Sequence, residues 1–223
     1  MSVTVVLAAG RSRRYGWSNK LLARAGGEPL IAITVRQVLR ATRGPVLLVT
    51  DHQAPALRRA LKSHGVLSNR LRIVYAAGAR HDMTRSRAFA LAAAPRLASV
   101  VQIHLADVPV FDRRLAHRLW RAIHGGATAT RPVYRGHPGH PVCLSRERLS
   151  GLVAGNDPQP ILRSLPATVW HHIQGPPGCV RDIDRRRMMR GFNRAGAATG
   201  IGGGLRSRFF LHSRLNLGAK TLS

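Results

Sequence analysis

The first chemically suggestive segment of the sequence combines small residues, a hydroxyl group and fixed positive charge. Its members that could contact an anion are Leu7, Ala8, Ala9, Gly10, Ser12, Arg14 and Lys20. Small residues allow backbone amides to approach a phosphate, and basic side chains neutralise its charge. The spacing is neither that of a P-loop nor that of a dinucleotide-binding glycine motif. The composition predicts a triphosphate site, although an ordinary basic surface loop contains the same residue types.

Carboxylates are scarce in this chain, and their scarcity limits where a divalent cation could bind. The 223 residues include nine Asp and Glu residues against 36 Lys and Arg residues. Asp107 stands at the end of an apolar run, where a carboxylate without a cation would be costly. This position predicts a magnesium ligand, and a helix-capping or turn aspartate is the structural alternative.

Apolar stretches alternate with amphipathic stretches through the first half of the chain. Predicted strands cover residues 3–7, 46–50, 71–75 and 100–105, and predicted helices cover residues 30–41, 54–62, 84–94 and 115–123. The strands are apolar throughout, which is typical of a parallel sheet buried on both faces. The alternation predicts a three-layer α/β/α sandwich with a mainly parallel, Rossmann-like sheet. Ligands of such folds bind beyond the carboxyl ends of the strands, where the basic segment after residue 7 would lie.

The second half of the chain has a different pattern. Residues 127–134 and 140–144 are strand candidates separated by a Gly-His-Pro-Gly turn, which favours a hairpin or an edge insertion over another crossover. A capping acid followed by proline predicts a short helix that begins at residues 157–158. Residues 169–173 are predicted to form a strand that returns to the sheet.

Features of the whole chain predict one cytoplasmic domain with a tail. The domain is expected over residues 1–194, and a Gly-rich, then basic tail of uncertain order over residues 195–223. The first residues lack a basic leader, and no apolar run approaches the roughly 20 residues that cross a bilayer. Cys143 and Cys179 are far apart without metal-ligand spacing, so neither a disulfide framework nor a zinc site is expected.

Residues 7–22 read Leu-Ala-Ala-Gly-x-Ser-x-Arg-x-Gly-x-x-Asn-Lys-Leu-Leu. This order closely resembles the opening signature of the MobA-like NTP transferases, which include the molybdenum cofactor cytidylyltransferases. Tyr15 stands where the signature usually has methionine. The resemblance implies a nucleotide-diphospho-sugar transferase type of fold, and it implies transfer of a nucleoside monophosphate from an NTP with release of pyrophosphate.

Later segments extend the resemblance through most of residues 1–192. Leu-Ala-Asp-Val-Pro around Asp107 resembles the segment in which family members place a magnesium-binding aspartate, with Ala106 in place of the usual glycine. Asp-Ile-Asp at Asp182 and Asp184 resembles the segment that offers a second magnesium carboxylate, although arginines replace its usual Thr-Pro-Glu-Asp continuation. As an alternative, Asp184 caps the last helix. The Gly-His-Pro segment that lines the acceptor side of the cleft matches Gly139, His140 and Pro141.

A weaker match concerns the hydroxyl groups that precede a predicted helix. Thr84 and Ser86 keep the hydroxyls of the family's Gly-Met-Ser-x-Ser segment, and a helix N-terminus favours a nucleotide phosphate. Asp82 replaces the glycine, and Arg87 stands where an apolar residue is usual. Seven further histidines, two of them adjacent in sequence, show no ligand spacing with a partner acid. They are interpreted as surface or core histidines: His52, His64, His104, His117, His124, His171 and His172.

The resemblance implies a magnesium-dependent reaction in which Arg14, Lys20 and Asp107 are catalytic. CTP is favoured over GTP as the nucleotide, because Ala8-Ala9-Gly10 is similar to the cytidylyl branch of the family. The implied acceptor is molybdopterin, and a molybdoenzyme is a further candidate partner.

Two other functions remain open at the level of the sequence. The departures at Asp82, Ala106 and Arg185 are compatible with a catalytically degenerate relative that binds the pterin cofactor and delivers it to a molybdoenzyme. The net charge of +27 suggests a nucleic-acid-binding protein. That class is the least favoured, because the arginines are scattered along the chain and only 5% of the residues are aromatic.

Overall fold

The structure is a computed structural model of the 223-residue chain, and it describes residues 1–9, 15, 19–51, 53–76, 93–150, 165–184 and 188–189. Several predictions lie outside the described residues: most of the phosphate-binding segment, most of the helix predicted at 84–94, the short helix from residue 157, the domain boundary at 194 and the tail.

Ten strands and four α-helices lie within the described residues. The strands are β1 Ser2–Leu7, β2 Arg24–Ala25, β3 Glu28–Pro29, β4 Val46–Thr50, β5 Leu71–Tyr75, β6 Val100–Leu105, β7 Ala129–Tyr134, β8 His137–Pro138, β9 Val142–Ser145 and β10 Trp170–Gln174. The helices are α1 Leu30–Ala41, α2 Ala54–Ser63, α3 Arg113–His124 and α4 Arg146–Ser150. Short 3-10 helices cover Lys20–Leu22, Ala167–Val169 and Pro177–Val180.

The central sheet has the order β10-β7-β9-β6-β1-β4-β5, and β8 pairs with β7. β1 pairs in parallel with β4 and β6, and β4 pairs in parallel with β5. β9 pairs antiparallel with both β6 and β7, while β10 is parallel to β7. The predicted mainly parallel sheet is therefore confirmed.

Alternation of side chains along β1 divides the core between the two faces of the sheet. One face carries Val6 and Ala8 against the apolar stripes of α1 and α2. The other face carries Val3, Val5 and Leu7, which pack with apolar residues of β4, β6 and β9. Burial on both faces explains why the central strands are apolar throughout.

The predicted hairpin is confirmed, but it does not form the edge of the sheet. β9 lies between β6 and β7, and β10 forms the edge beyond β7. Residues 135 and 136 form the turn, with positive φ angles of 49° at Arg135 and 79° at Gly136. The strand predicted at 169–173 corresponds to β10. It pairs with the outer side of β7 and so separates the hairpin from the edge of the sheet.

Candidate active site

The site begins where β1 and β6 end side by side. Leu7 and Leu105 are register partners at the carboxyl ends of these parallel strands. The Ala8 amide donates to the Val49 carbonyl at 2.8 Å, and the Ala106 amide donates to the Leu7 carbonyl at 3.0 Å. The segments that follow the two strands therefore leave the sheet at the same edge, as expected for a ligand site in a parallel sheet.

The turn that carries Asp107 is held by neighbouring groups on both sides. The Thr34 hydroxyl of α1 donates to the Ala106 carbonyl at 2.9 Å. Nε2 of His104 lies 2.8 Å from the Val108 carbonyl oxygen. Because a carbonyl oxygen can only accept, Nε2 carries the ring proton and donates it. Both side chains are completely buried. Buried hydrogen bonds to two carbonyls of one turn fix the direction in which Asp107 leaves the strand.

Lys20 is brought to the same edge by the short helix that follows the basic segment. The Asn19 side chain caps this helix by accepting from the Leu21 amide at 2.9 Å, and its amide group contacts Gln53. Lys20 is only 8% exposed. Its Nζ contacts the Asp107 carboxylate and lies 2.8 Å from Asp184 Oδ1. The family signature and the Asp-Ile-Asp segment therefore meet in space.

Three carboxylates converge around this ammonium group. Oxygen atoms of Asp107, Asp182 and Asp184 all lie within 4.8 Å of one another. The Ile183 amide donates to the Asp107 carbonyl at 2.9 Å, which ties the backbone between the two later aspartates to the β6 turn. Oxygen ligands are those that Mg²⁺ and Mn²⁺ prefer, so the donor set fits a hard divalent cation.

The charges in this cluster shift the proton affinities of its members. Burial disfavours the charge on Lys20, but the attraction of Asp107, and then of Asp184, outweighs it and raises the pKa of Lys20. Burial, followed by repulsion from Asp184 and Asp107, raises the pKa of Asp182 to about 6. The three carboxylates therefore repel one another even with Lys20 among them, and repulsion of this kind favours the binding of an additional cation.

His104 is a core histidine, as one of the two sequence interpretations had it. Burial, followed by the neighbouring His140, lowers the pKa of His104 to about 3. Its ring packs edge-to-face on Phe111 with the centroids 4.8 Å apart. A neutral ring keeps the Nε2 proton that binds the Val108 carbonyl, so His104 supports the Asp107 turn throughout the physiological pH range.

The Gly-His-Pro segment lies beside this turn, held against the chain that leads to Asp182. The His140 amide donates to the Cys179 carbonyl at 2.7 Å, and the rings of His140 and His104 are 6.4 Å apart. A Cβ at Gly139 would lie 2.4 Å from the Cys179 oxygen, so only glycine allows this approach. The peptide bond between His140 and Pro141 is cis.

Both cysteines are buried and neither forms a disulfide. Burial raises the pKa of the Cys143 thiol to about 12 and that of Cys179 to about 11, so neither is a thiolate at neutral pH.

The structure brings together Lys20, Asp107, Asp182 and Asp184, and it places Leu7, Ala8 and Ala9 at the adjoining end of β1. Gly10, Ser12, Arg14, Thr84 and Ser86 lie outside the described residues. The supporting roles of Thr34 and His104 were not predicted from the sequence. The available signal was a polar residue on the apolar stripe of α1 and another inside the apolar run of β6.

Comparisons with known proteins agree with this arrangement. The model of the MobA-like NTP transferase domain matches residues 4–170, while no curated protein matches the chain significantly. Rv0371c from Mycobacterium tuberculosis H37Rv is 21% identical, with a TM-score of 0.69 over 86% of this chain and 97% of that one. Its complex with manganese is 20% identical, with a TM-score of 0.63 over 87% and 98%.

Two further solved structures share the fold at low identity. A nucleotidyl transferase from Methanothermobacter thermautotrophicus is 22% identical, with a TM-score of 0.66 over 87% of this chain and 99% of that one. CMP:2-keto-3-deoxy-manno-octonic acid synthetase, complexed with CTP, is 12% identical, with a TM-score of 0.64 over 89% and 99%. None of the helices in the described part of the chain has the length and hydropathy needed to cross a bilayer.

The family match covers most of the chain and includes both Lys20, in the short helix Lys20–Leu22, and Asp107, which follows β6. Asp182 and Asp184 follow the matched region but return to the same edge of the sheet. The chain thus belongs to the MobA-like NTP transferase family and is a nucleotidyltransferase.

Proposed function

We propose that this enzyme transfers a nucleoside monophosphate, CMP by preference, from an NTP to a phosphorylated acceptor of the molybdopterin type, with Mg²⁺ as cofactor. The observation that carries the proposal is the contact of Lys20 with Asp107 and Asp184 at the shared end of β1 and β6. These residues come from three distant parts of the chain. Their convergence at the ligand-binding edge of the sheet supports a common role in binding a triphosphate and its metal.

Asp107, together with Asp182 or Asp184, would hold the metal through carboxylate oxygens. When bound, the metal neutralises the phosphates and orients them for in-line displacement. An acceptor phosphate oxygen attacks the α-phosphorus, the bond to the pyrophosphate oxygen breaks, and pyrophosphate departs. No covalent intermediate with the protein is required.

Lys20 contributes a permanent positive charge to this reaction. Its raised pKa keeps the ammonium group protonated across the working pH range. The same ammonium group, held near the ends of β1 and β6 by Asp107 and Asp184, would stabilise the charge that develops on the departing pyrophosphate. Arg14 is proposed to supply a second positive charge to the phosphates, because it matches the arginine of the family signature. Charge stabilisation that grows as the leaving group departs lowers the barrier more than it tightens binding.

We propose CTP and a molybdopterin acceptor because the sequence resembles the cytidylyl branch of the family. A structural neighbour with bound CTP supports the view that this fold accommodates a cytidine nucleotide. A neighbour in complex with manganese supports a divalent cation in the reaction. Gly139, His140 and Pro141 adjoin the Asp107 turn through His104 and are proposed to line the acceptor side.

Pyrophosphate release with molybdopterin, Mg²⁺ and each of CTP, GTP, ATP and UTP tests the nucleotide and the acceptor together. Release is expected with CTP, and omission of molybdopterin should abolish it. Release with another nucleotide would contradict the base preference alone. If the protein binds molybdopterin tightly but releases no pyrophosphate from any nucleotide, its function would instead be that of an accessory protein that delivers the cofactor.

A further inference from the structure

The loop that follows β4 lies beside the short helix Lys20–Leu22. Gln53 is the last residue of this loop before α2, and its Oε1 accepts a hydrogen bond from Asn19 Nδ2, 34 positions earlier in the sequence. Leu21 of the short helix and Leu57 of α2 are buried in the same core cluster. A polar contact between side chains therefore accompanies the apolar packing of the short helix near α2.

The cap of the short helix fixes the direction of this hydrogen bond. Asn19 Oδ1 accepts from the Leu21 amide at 2.9 Å, which leaves Asn19 Nδ2 to face Gln53. An amide NH₂ group donates and cannot accept. Gln53 therefore has to present its carbonyl oxygen, so this position requires a hydrogen-bond acceptor.

Capping of α2 does not account for the side chain of Gln53. Gln53 is the N-cap residue of α2, yet its side chain forms no hydrogen bond with the first turn of that helix. Glutamine is also not among the residue types that favour this position. The first turn is instead closed by the Gln53 backbone carbonyl, which accepts from the Leu57 amide at 3.0 Å. The contact with Asn19 is the hydrogen bond that the Gln53 side chain forms within the described structure.

The short helix has only three residues and cannot fix its own orientation by backbone hydrogen bonds. In the part of the chain that the structure describes, side-chain hydrogen bonds join this turn to other elements in two places. One is the contact of Asn19 with Gln53, and the other is the contact of the Lys20 ammonium with Asp107 and Asp184. The Gln53 contact therefore holds the turn independently of the ammonium group.

We propose that Gln53 is a positioning residue for Lys20. By accepting from Asn19, it keeps the adjacent lysine directed at the carboxylates and at the phosphates of the bound nucleotide. The inference rests on the role of Lys20 in the proposed function. Because displacement of a charged group by about 1 Å can cost about 100-fold in rate, one hydrogen bond beside Lys20 is sufficient to affect the reaction.

Substitutions that keep or remove the acceptor at position 53 test this role in the reaction with CTP, molybdopterin and Mg²⁺. Gln53→Met keeps the length of the side chain without a carbonyl oxygen, so kcat should fall at least about tenfold while KM for CTP changes less than about twofold. Gln53→Glu restores an acceptor and should keep kcat within about threefold of native. Gln37→Met makes the same change at a half-buried position on α1 and should have the native kcat. Thermal unfolding near the native temperature establishes that the variants are folded.

Binding of Mn²⁺, followed by electron paramagnetic resonance of the free ion, tests the position of Lys20 without nucleotide or acceptor. Gln53→Met frees the ammonium group from the carboxylates, so Mn²⁺ should bind at least about twofold more tightly. When Gln53→Met is added to Lys20→Met, neither Mn²⁺ binding nor kcat should change by more than about 1.5-fold, because the group that Gln53 positions is already absent.

A native kcat or a native affinity for Mn²⁺ in Gln53→Met would overturn the proposal. So would an equal loss of rate in Gln53→Met and Gln53→Glu, because the acceptor would then not matter. A further fall in kcat on adding Gln53→Met to Lys20→Met would also overturn it, since Gln53 would then act independently of Lys20. If the native protein releases no pyrophosphate, the proposed function fails, and Mn²⁺ binding still decides whether Gln53 positions Lys20.

Discussion

Lys20 occupies a position in which its charge interacts with two different kinds of partner. In the structure its ammonium group lies against Asp107 and Asp184, the latter 164 residues away in sequence. In the proposed reaction the same group attends the pyrophosphate. A buried ammonium beside carboxylates stabilises them when no other cation is bound, and it also competes with a cation that binds the same oxygens.

We predict that Lys20→Met binds Mn²⁺ several-fold more tightly than the native protein but transfers nucleotide at least about 100-fold more slowly. The carboxylates lose a competing cation, while the pyrophosphate loses a stabilising charge. Electron paramagnetic resonance of free Mn²⁺ measures the first effect, and kcat measures the second. Lys62→Met on the exposed side of α2 is the control and should change neither. Weaker Mn²⁺ binding in Lys20→Met would contradict the competition.

The lowered pKa of His104 predicts that the free energy of unfolding depends on pH. Its pKa is lowered from 6.5 to about 3 in the folded protein, so between these values the unfolded chain binds a proton that the folded chain excludes. The contribution of His104 is fully present above pH 6.5 and is lost as the pH falls toward 3. Between pH 6.5 and about 3, the free energy of unfolding of His104→Gln should therefore fall less than that of the native protein. Urea denaturation at a series of pH values measures this difference. The control His171→Gln removes an exposed histidine and should follow the native slope.

At the scale of elements, the Asp107 turn depends on contacts from α1, β6 and the segment before residue 184. The boundaries of α1, β4, β5 and β6 follow from the sequence, because each apolar pattern stops where the chain leaves the core. Asp107 is predictable for the same reason. The insertion of β9 between β6 and β7 is not, because hydrophobic periodicity reports which face of a strand is buried and carries no information on its neighbours.

Removal of the α1 contact should weaken both the turn and the reaction. Thr34→Val leaves the buried Ala106 carbonyl without its side-chain donor, at a cost of about 1–3 kcal/mol in the free energy of unfolding. The rate of nucleotidyl transfer should fall several-fold as Asp107 loses its orientation. Thr42→Val is the control, because its hydroxyl donates only to the Val38 carbonyl at the end of the same helix. An equal loss of activity in both variants would show that the turn does not depend on Thr34.

At the scale of the whole molecule, charge is the dominant feature. The net charge of +27 leaves most arginines without an acidic partner. Where acids do occur in the described structure, three of the nine form the candidate metal site, and Glu28 pairs with Arg36. The sequence could locate Asp107 and the Asp-Ile-Asp segment separately. Their convergence required the fold, because no local pattern relates positions that are more than 70 residues apart.

This excess charge predicts that salt stabilises the folded protein. Raising the ionic strength from about 10 mM to about 150 mM shortens the screening length from ~30 Å to ~8 Å and weakens the repulsion among arginines. The melting temperature in differential scanning calorimetry should rise by a few degrees. Sodium chloride and choline chloride at equal ionic strength should have the same effect. A fall in melting temperature with either salt would contradict the dominance of repulsion.

The most direct test of the account compares pyrophosphate release by the native protein, Asp107→Asn and Asp112→Asn, with CTP, molybdopterin and Mg²⁺. Asp112 caps α3 by accepting from the Leu115 amide at 2.7 Å, and asparagine serves equally well in that role. Its variant should therefore keep the native rate. Asp107→Asn should lose at least about 100-fold in rate, because the cluster loses a charged metal ligand. A native rate in Asp107→Asn would contradict the assignment of the reaction to this site.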